Sequence, residues 1–418
     1  MSAASRKRRP IAFWILLGAV LLILTILLLR QPHGPLRTSL EECSSSEVNC
    51  ATAMIKKADG RWLGIVEISD TGYFHDIYAT TEILGRIGQK SREKDALIVT
   101  FVHGWNHSAK EGDENLTAFE KLLDQLAAEE KRQRGENARQ VLGLYVGWRG
   151  SSVEVSPFWI PTFWSRKAVA EDIGHSAVSV FATLNEIWAE AGGLCRSNGR
   201  LSDTRMLTIG HSFGGLIVSR AALPLLVKNV AEARGDGERL RGLGDLIVLI
   251  NPAVEATAFL GLRSELFEYP TTRTKYPKLV VVTSDADLAT RIAFPAGRLL
   301  TVWDRDVPKR GDWPLMLKTI GHADEYKTHD LTAKPNGPRW DGARQFPNNV
   351  YLADRLSESQ WLSDKRKYSD TPFWLVKTDS YVVRDHSDFS DELRGFVGEL
   401  FSDIAKDAAS RSQACKGN

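Results

Sequence analysis

The sequence predicts an α/β fold, a mostly parallel sheet with helices on both faces, preceded by one N-terminal transmembrane helix. Three observations predict it. Short apolar runs rich in Val and Ile recur along the chain, separated by helix-patterned segments. One long apolar stretch stands near the N-terminus. A serine bracketed by glycines falls between one of the short runs and a helix-like segment.

In chain order, residues 1–10 form a basic tail carrying Arg6, Lys7, Arg8 and Arg9. Ile11 to Leu29 is then apolar apart from Thr25, long enough as a helix to cross about 28 Å of hydrocarbon. A cleaved signal peptide would have a shorter apolar region and a small-x-small site after it. Arg30-Gln31-Pro32-His33-Gly34-Pro35 has no such site. Residues 11–30 therefore read as an uncleaved signal anchor. Four basic residues before the run, against Arg30 and Arg37 after it, place the N-terminus in the cytoplasm. The large C-terminal part then lies on the periplasmic or extracytoplasmic side.

Residues 31–60 read as a polar linker and 61–410 as the globular domain. Trp62 to Ile68 is a first, edge-like strand, closed by a turn at Asp70-Thr71-Gly72. Strand patterns follow at Ala96–Val102, Val141–Val146, Arg205–Ile209, Leu246–Ile250, Leu279–Val282, Phe373–Val376 and Tyr381–Val383. Helical spacing marks Leu116–Lys131, Lys167–Ala191, Gly215–Val230 and Glu392–Ile404. Two stretches depart from this alternation. Pro157 to Trp164 is an aromatic loop that suits an acyl pocket, a bilayer contact or plain core. Residues 288–370 form a long, charged, irregular insertion that needs a function or structure of its own.

Formal net charge is +2, and the N-terminal basic cluster more than accounts for it. The rest of the chain is near neutral, which excludes a nucleic-acid-binding face. Four cysteines are present. Cys43 with Cys50, and Cys195 with Cys415, would pair in an oxidising compartment; four unrelated thiols are the alternative. No Cys/His spacing suits a structural zinc. Asn106 and Asn115 stand in N-x-S/T patterns that read as chance.

The most specific signal is Gly210-His211-Ser212-Phe213-Gly214, between the run Met206-Leu207-Thr208-Ile209 and the segment starting Gly215-Leu216-Ile217-Val218. A G-x-S-x-G turn from strand to helix strains the serine backbone and presents its hydroxyl at the carboxyl edge of a sheet. A second motif, Phe101-Val102-His103-Gly104-Trp105-Asn106, ends an earlier strand in His-Gly. On these two motifs the chain resembles the α/β-hydrolase superfamily of serine hydrolases, over roughly residues 61–408.

That resemblance implies the order serine, acid, histidine along the chain. Ser212 would be the nucleophile. His386 follows the last strand and precedes the terminal helix, as the superfamily's base does; His322 and His329 are the alternatives. Asp287 and Asp285 both follow the strand ending at Ser284, and the resemblance favours Asp287. Glu255, after the strand ending at Asn251, is a third candidate acid. The amides of Trp105 and Phe213 would form the oxyanion hole, with His103, Gly104 and Asn106 supporting the first. His211 would point away. The implied function is a membrane-anchored hydrolase of small-molecule or lipid carboxylic esters acting through an acyl-serine. It needs no metal or organic cofactor. A catalytically inactive, membrane-tethered interaction module and an acyltransferase using the same triad are the alternatives.

Overall fold

The structure, a computed structural model, describes residues 11–28, 34–35, 55–56, 60–152, 162–233, 236–237, 240–263, 274–299, 302, 305–307, 309–333, 343–354, 371–410 and 415. The basic tail, the Cys43–Cys50 pairing, most of the linker and Pro157–Pro161 of the aromatic loop lie outside those residues.

Ile11–Leu28 forms helix α1, without a charged residue. Beyond it the chain alternates strand and helix: β1 (Ile55–Lys56), β2 (Trp62–Ile68), α2 (Ile77–Glu93), β3 (Ala96–Val102), α3 (Glu114–Arg134), β4 (Gln140–Trp148) and α4 (Phe163–Gly192). The second half holds β5 (Arg205–His211), α5 (Phe213–Ala233), β6 (Leu246–Ile250), α6 (Leu260–Arg263), β7 (Leu279–Ser284) and α7 (Phe294–Arg298). It closes with β8 (His329–Thr332), β9 (Arg344–Phe346), β10 (Val350–Asp354), β11 (Phe373–Thr378) and α8 (Asp391–Ser410).

The strands make one sheet in the order β1-β2-β4-β3-β5-β6-β7-β11-β8-β10-β9. From β2 to β8 every neighbour is parallel. Antiparallel β1 covers one edge, and the β8-β10-β9 ladder extends the other. Thus β2, expected at the edge, runs one place in from it. Its half-exposed alternation is that of an edge strand, because the two-residue strand outside it covers little. The insertion at 288–370 is also more regular than its sequence suggests, since β8, β9 and β10 come from it.

Strand alternation builds two cores, one on each face. On β3, Ile98 and Val102 pack to one side and Leu97, Val99 and Phe101 to the other. On β6, Ile247 and Leu249 oppose Leu246, Val248 and Ile250. The first face carries α2, α4 and α5 through Ile83, Phe181 and Leu216; the second carries α3 and α8 through Phe119, Leu122, Phe396 and Leu400. Asp76 caps α2 by accepting from Ala79 N at 2.8 Å, and Asp113 caps α3 by accepting from Asn115 N at 2.9 Å. Helix α5 is long and apolar enough to cross a membrane, yet it is mostly buried. Its apolarity serves the sheet it packs against.

Cys195 and Cys415 form a disulfide.

Candidate functional site

The parallel strands all end at one edge, and the candidate residues gather there. Ser212 stands between β5 and α5 at φ +55°. Of the five non-glycine residues with positive φ among the described residues, the other four are asparagines, which tolerate that region better. Ser212 is the strained exception, at a cost of about 1–3 kcal/mol. The turn closes only because Gly214 lacks a side chain: a Cβ there would lie 2.1 Å from the Val102 carbonyl oxygen. Gly104 is held as tightly, since its Cβ would meet Ser212 Cβ at 2.7 Å.

Ser212 Oγ lies 2.5 Å from His386 Nε2. His386 Nδ1 lies 2.9 Å from Asp287 Oδ2. Ser212, Asp287 and His386 therefore come together from the ends of β5, β7 and β11. Asp287 is fully buried. Burial alone would raise its pKa, but the adjacent His386 and hydrogen bonds from His386 and Thr290 outweigh that and hold the carboxyl below its usual range. Its second oxygen, Oδ1, accepts from Ala289 N at 3.0 Å and Thr290 N at 3.2 Å, so the acid also starts the helical turn after it.

The alternative residues lie elsewhere. Asp285 pairs with Lys377 at 2.6 Å on a half-exposed surface. Glu255 is buried against Lys167 at 2.8 Å and Arg298 at 3.2 Å. His322 Nε2 meets Thr290 Oγ1 at 3.0 Å, one residue behind the acid, and burial pushes its pKa down to about 4. His329 lies in β8, with Nδ1 2.7 Å from Thr328 Oγ1 and its ring against Trp374. Tyr381–Val383, expected as a strand, is a turn: Asp379 accepts from Val382 N and Val383 N through its carbonyl and from Tyr381 N through its carboxylate. An aspartate that satisfies three following amides leaves none for a ladder.

The His-Gly loop sits against the serine. His103 donates from Nδ1 to the Gly104 carbonyl at 2.9 Å and accepts from Trp148 N at Nε2, also at 2.9 Å. Both contacts suit a neutral ring, and burial holds its pKa down at about 4. Asn106, at φ +63°, donates its amide to the Gly150 carbonyl at 3.3 Å. Phe213 opens α5, and first-turn amides have no acceptor within their helix. Phe163 packs on both Trp105 and Phe213 at 4.9 Å between ring centroids. Ser212 itself is buried in this state.

Several supporting residues carry no sequence signal of their own. His211 does not simply point away: its Nε2 lies 2.6 Å from the His386 carbonyl oxygen. Burial, then the charges of His386 and His107, lower its pKa to about 3, so the ring is neutral and its Nε2–H donates to that carbonyl. Asn115 accepts from Gly104 N at 3.4 Å through Oδ1, which lies 2.8 Å from His211 Nδ1. It is buried, which leaves no room for a glycan. Asn251, at φ +42°, donates from Nδ2 to the carbonyls of Asp385 and His386 at 3.2 and 3.3 Å. Ser284 Oγ donates to the Val383 carbonyl at 2.7 Å. The loop holding His386 is thus clamped from the ends of β5, β6 and β7. Asn251, following a strand in Asn251-Pro252, was the one clamp residue with a local signal available.

Among the described residues, no group of three or more His, Cys, Asp or Glu is placed to hold a metal ion. Compared with protein-family models, curated proteins and solved structures, the chain matches none.

Proposed function

We propose that this chain is a membrane-anchored serine hydrolase with an α/β-hydrolase fold, cleaving carboxylic esters through an acyl-serine intermediate. The observation that carries the reading is the hydrogen-bonded line from Ser212 Oγ through His386 to Asp287, built on a strained strand-to-helix turn. The order of the parallel strands and the helices on both faces support the fold assignment.

In this reading His386 Nε2 takes the hydroxyl proton as Ser212 Oγ bonds to the ester carbonyl carbon. Asp287 holds the proton on Nδ1 and stabilises the imidazolium. The carbonyl oxygen gains negative charge and is met by the amides of Phe213 and Trp105. His386 then returns the proton to the departing alkoxide, and the alcohol leaves. Water adds to the acyl-serine by the same route, giving its proton to His386, and the carboxylic acid is released as Ser212 regains its hydrogen. The aromatic cluster of Trp105, Phe163 and Phe213 offers the acyl group an apolar wall. Because Ser212 is buried, substrate entry requires a rearrangement around it.

Helix α1 anchors the domain in a bilayer, with the domain on the extracytoplasmic side; the Cys195–Cys415 disulfide suits that oxidising compartment. The test is labelling of the full chain with a fluorophosphonate probe, with Ser212→Ala as control. Labelling that vanishes in the variant supports an activated serine. A folded protein that stays unlabelled sinks the hydrolase and leaves the tethered binding module.

A further inference from the structure

Outside α1, the exposed large apolar side chains among the described residues are unevenly placed. They are Tyr73, Ile77, Tyr78, Val178, Leu288, Ile292, Leu299 and Tyr381. All but Val178 follow the carboxyl end of a parallel strand. Tyr73, Ile77 and Tyr78 come after β2, Leu288, Ile292 and Leu299 after β7, and Tyr381 after β11. Ser212 follows β5, which lies between β2 and β7 in the sheet. The exposed apolar groups therefore bracket the serine along the one edge that holds it.

The second group is organised. Residues 288–298 are helical, with a π-helical turn over Ala289–Ala293 leading into α7, and Leu288, Ile292 and Ala296 are exposed along the run, with exposed Leu299 just past its end. The opposite side of the same run is committed inward: Thr290 binds the acid and Phe294 is buried against Trp164. A short helix that is apolar on both sides has one face for the core and one for something else. Three of the seven edge residues are tyrosines, the side chain suited to an apolar phase bordered by water. Exposed Arg291 stands beside Ile292, and the exposed side chain of Arg384 lies near Tyr381 in the chain.

We infer that the carboxyl edge of the sheet docks on the bilayer that holds α1, so that the site takes its esters from lipids in that membrane. The substrate class rests on the hydrolase reading above; the docking rests on the exposed edge and on α1. The chain between α1 and β1, whose maximum reach is about 3.5 Å per residue, is long enough to let any face of the domain reach the membrane. The tether supplies a high local concentration of bilayer, and the apolar edge selects which face meets it.

The experiment uses the full chain in phospholipid nanodiscs containing neutral and anionic lipids. A photo-crosslinking amino acid replaces Tyr78, Ile292 or, as a control at the opposite edge, Glu136. Phospholipid adducts at 78 and 292 but not at 136 are expected. Chain-to-chain adducts at 78 and 292 would assign the edge to a second copy and overturn docking on lipid. Absence of adducts at both sites would also overturn it. A second arm compares hydrolysis of a bilayer-embedded ester with that of a soluble short-chain ester in the Tyr78→Asp/Ile292→Asp variant. Bilayer turnover should fall by at least about tenfold, the factor one buried aliphatic side chain is worth, with soluble turnover unchanged. Equal loss on both esters, or no loss on either, counts against docking. If the unmodified chain hydrolyses neither ester, the hydrolase reading fails, while the adduct pattern still decides the docking.

Discussion

Replacing Asp287 by Asn tests the site at its most determined point. The two carboxylate oxygens have unequal surroundings: Oδ1 accepts two backbone amides, from Ala289 and Thr290, while Oδ2 accepts from His386 and the Thr290 hydroxyl. In the amide, the oxygen must stay with the two N–H groups, because turning it over would set NH2 against both. The NH2 group then faces His386 Nδ1, which can meet it only as an acceptor. The imidazole proton moves to Nε2, pointing at Ser212 Oγ, and the lone pair that should take the serine proton is gone. The wrong tautomer costs about 10⁴ in kcat, or roughly 5.5 kcal/mol of barrier. Asp285→Asn gives the internal comparison. Asp285 carries the same charge two residues earlier but pairs with Lys377, so its loss should change kcat by less than about twofold. The assay is steady-state hydrolysis of a soluble ester from pH 6 to 9, with circular dichroism to confirm folding. Retention of more than about a tenth of activity by a folded Asp287→Asn chain would refute the tautomer argument. So would an equal loss in Asp285→Asn.

Three further outcomes follow from the same geometry. His211→Ala and Asn251→Ala each free the carbonyl of His386, so kcat should fall by up to about 100-fold through misplacement of the base, with KM nearly constant. Unchanged kcat in either folded variant would mean that the clamp is not needed. Lowering pH should destabilise the fold, because His103, His211 and His322 have folded pKa values of about 4, 3 and 4, below the ordinary 6.5. The unfolded chain takes up protons that the folded one refuses. Stability is therefore complete above about pH 6.5 and is lost at about 1.4 kcal/mol per pH unit per histidine as pH falls toward those values; urea midpoints at pH 7.5 and 5 that coincide would contradict this. Cys195→Ser with Cys415→Ser should remove about 2–4 kcal/mol by releasing a constraint on the unfolded chain, read as a drop in urea midpoint absent when reductant is already present.

The sequence made legible whatever depends on local chemistry. Apolar runs such as Ala96–Val102 and Leu246–Ile250 became the strands expected of them, since a strand buried on both faces has little choice of residue. The strand-to-helix turn at Ser212 carries a local signature of the same kind, whereas the expected order of serine, acid and histidine comes from the resemblance and from no local pattern. Helix α2 has a weak sequence signature, because Thr80, Thr81, Gly85 and Gly88 dilute its helical pattern and packing on β2 and α4 supplies the stability. The short strands β8 to β10 depend on the sheet edge beside them. Asp285 and Asp287 were close competitors because both lie just beyond β7, and only the turn's direction separates them: Asp287 aims inward to cap the helical run, Asp285 outward to Lys377. The bracing by His211 and Asn115 joins residues from distant parts of the chain, and no local pattern encodes such a meeting.

The sheet order β7-β11-β8 has a consequence for how the molecule is made. β8 leaves the biosynthetic machinery well before β11, yet β11 must slot between β7 and β8, pairing with both. Until then a gap one strand wide stays open, with two unsatisfied strand margins facing each other. Premature closure of β7 on β8 would be a kinetic trap, and the long-range parallel pairing makes the correct insertion slow. His386 arrives with β11. The risk is thus temporal as well as spatial: the chain is most vulnerable to aggregation in the interval before β11 arrives, and it gains its complete Ser212–His386–Asp287 line only when that interval ends.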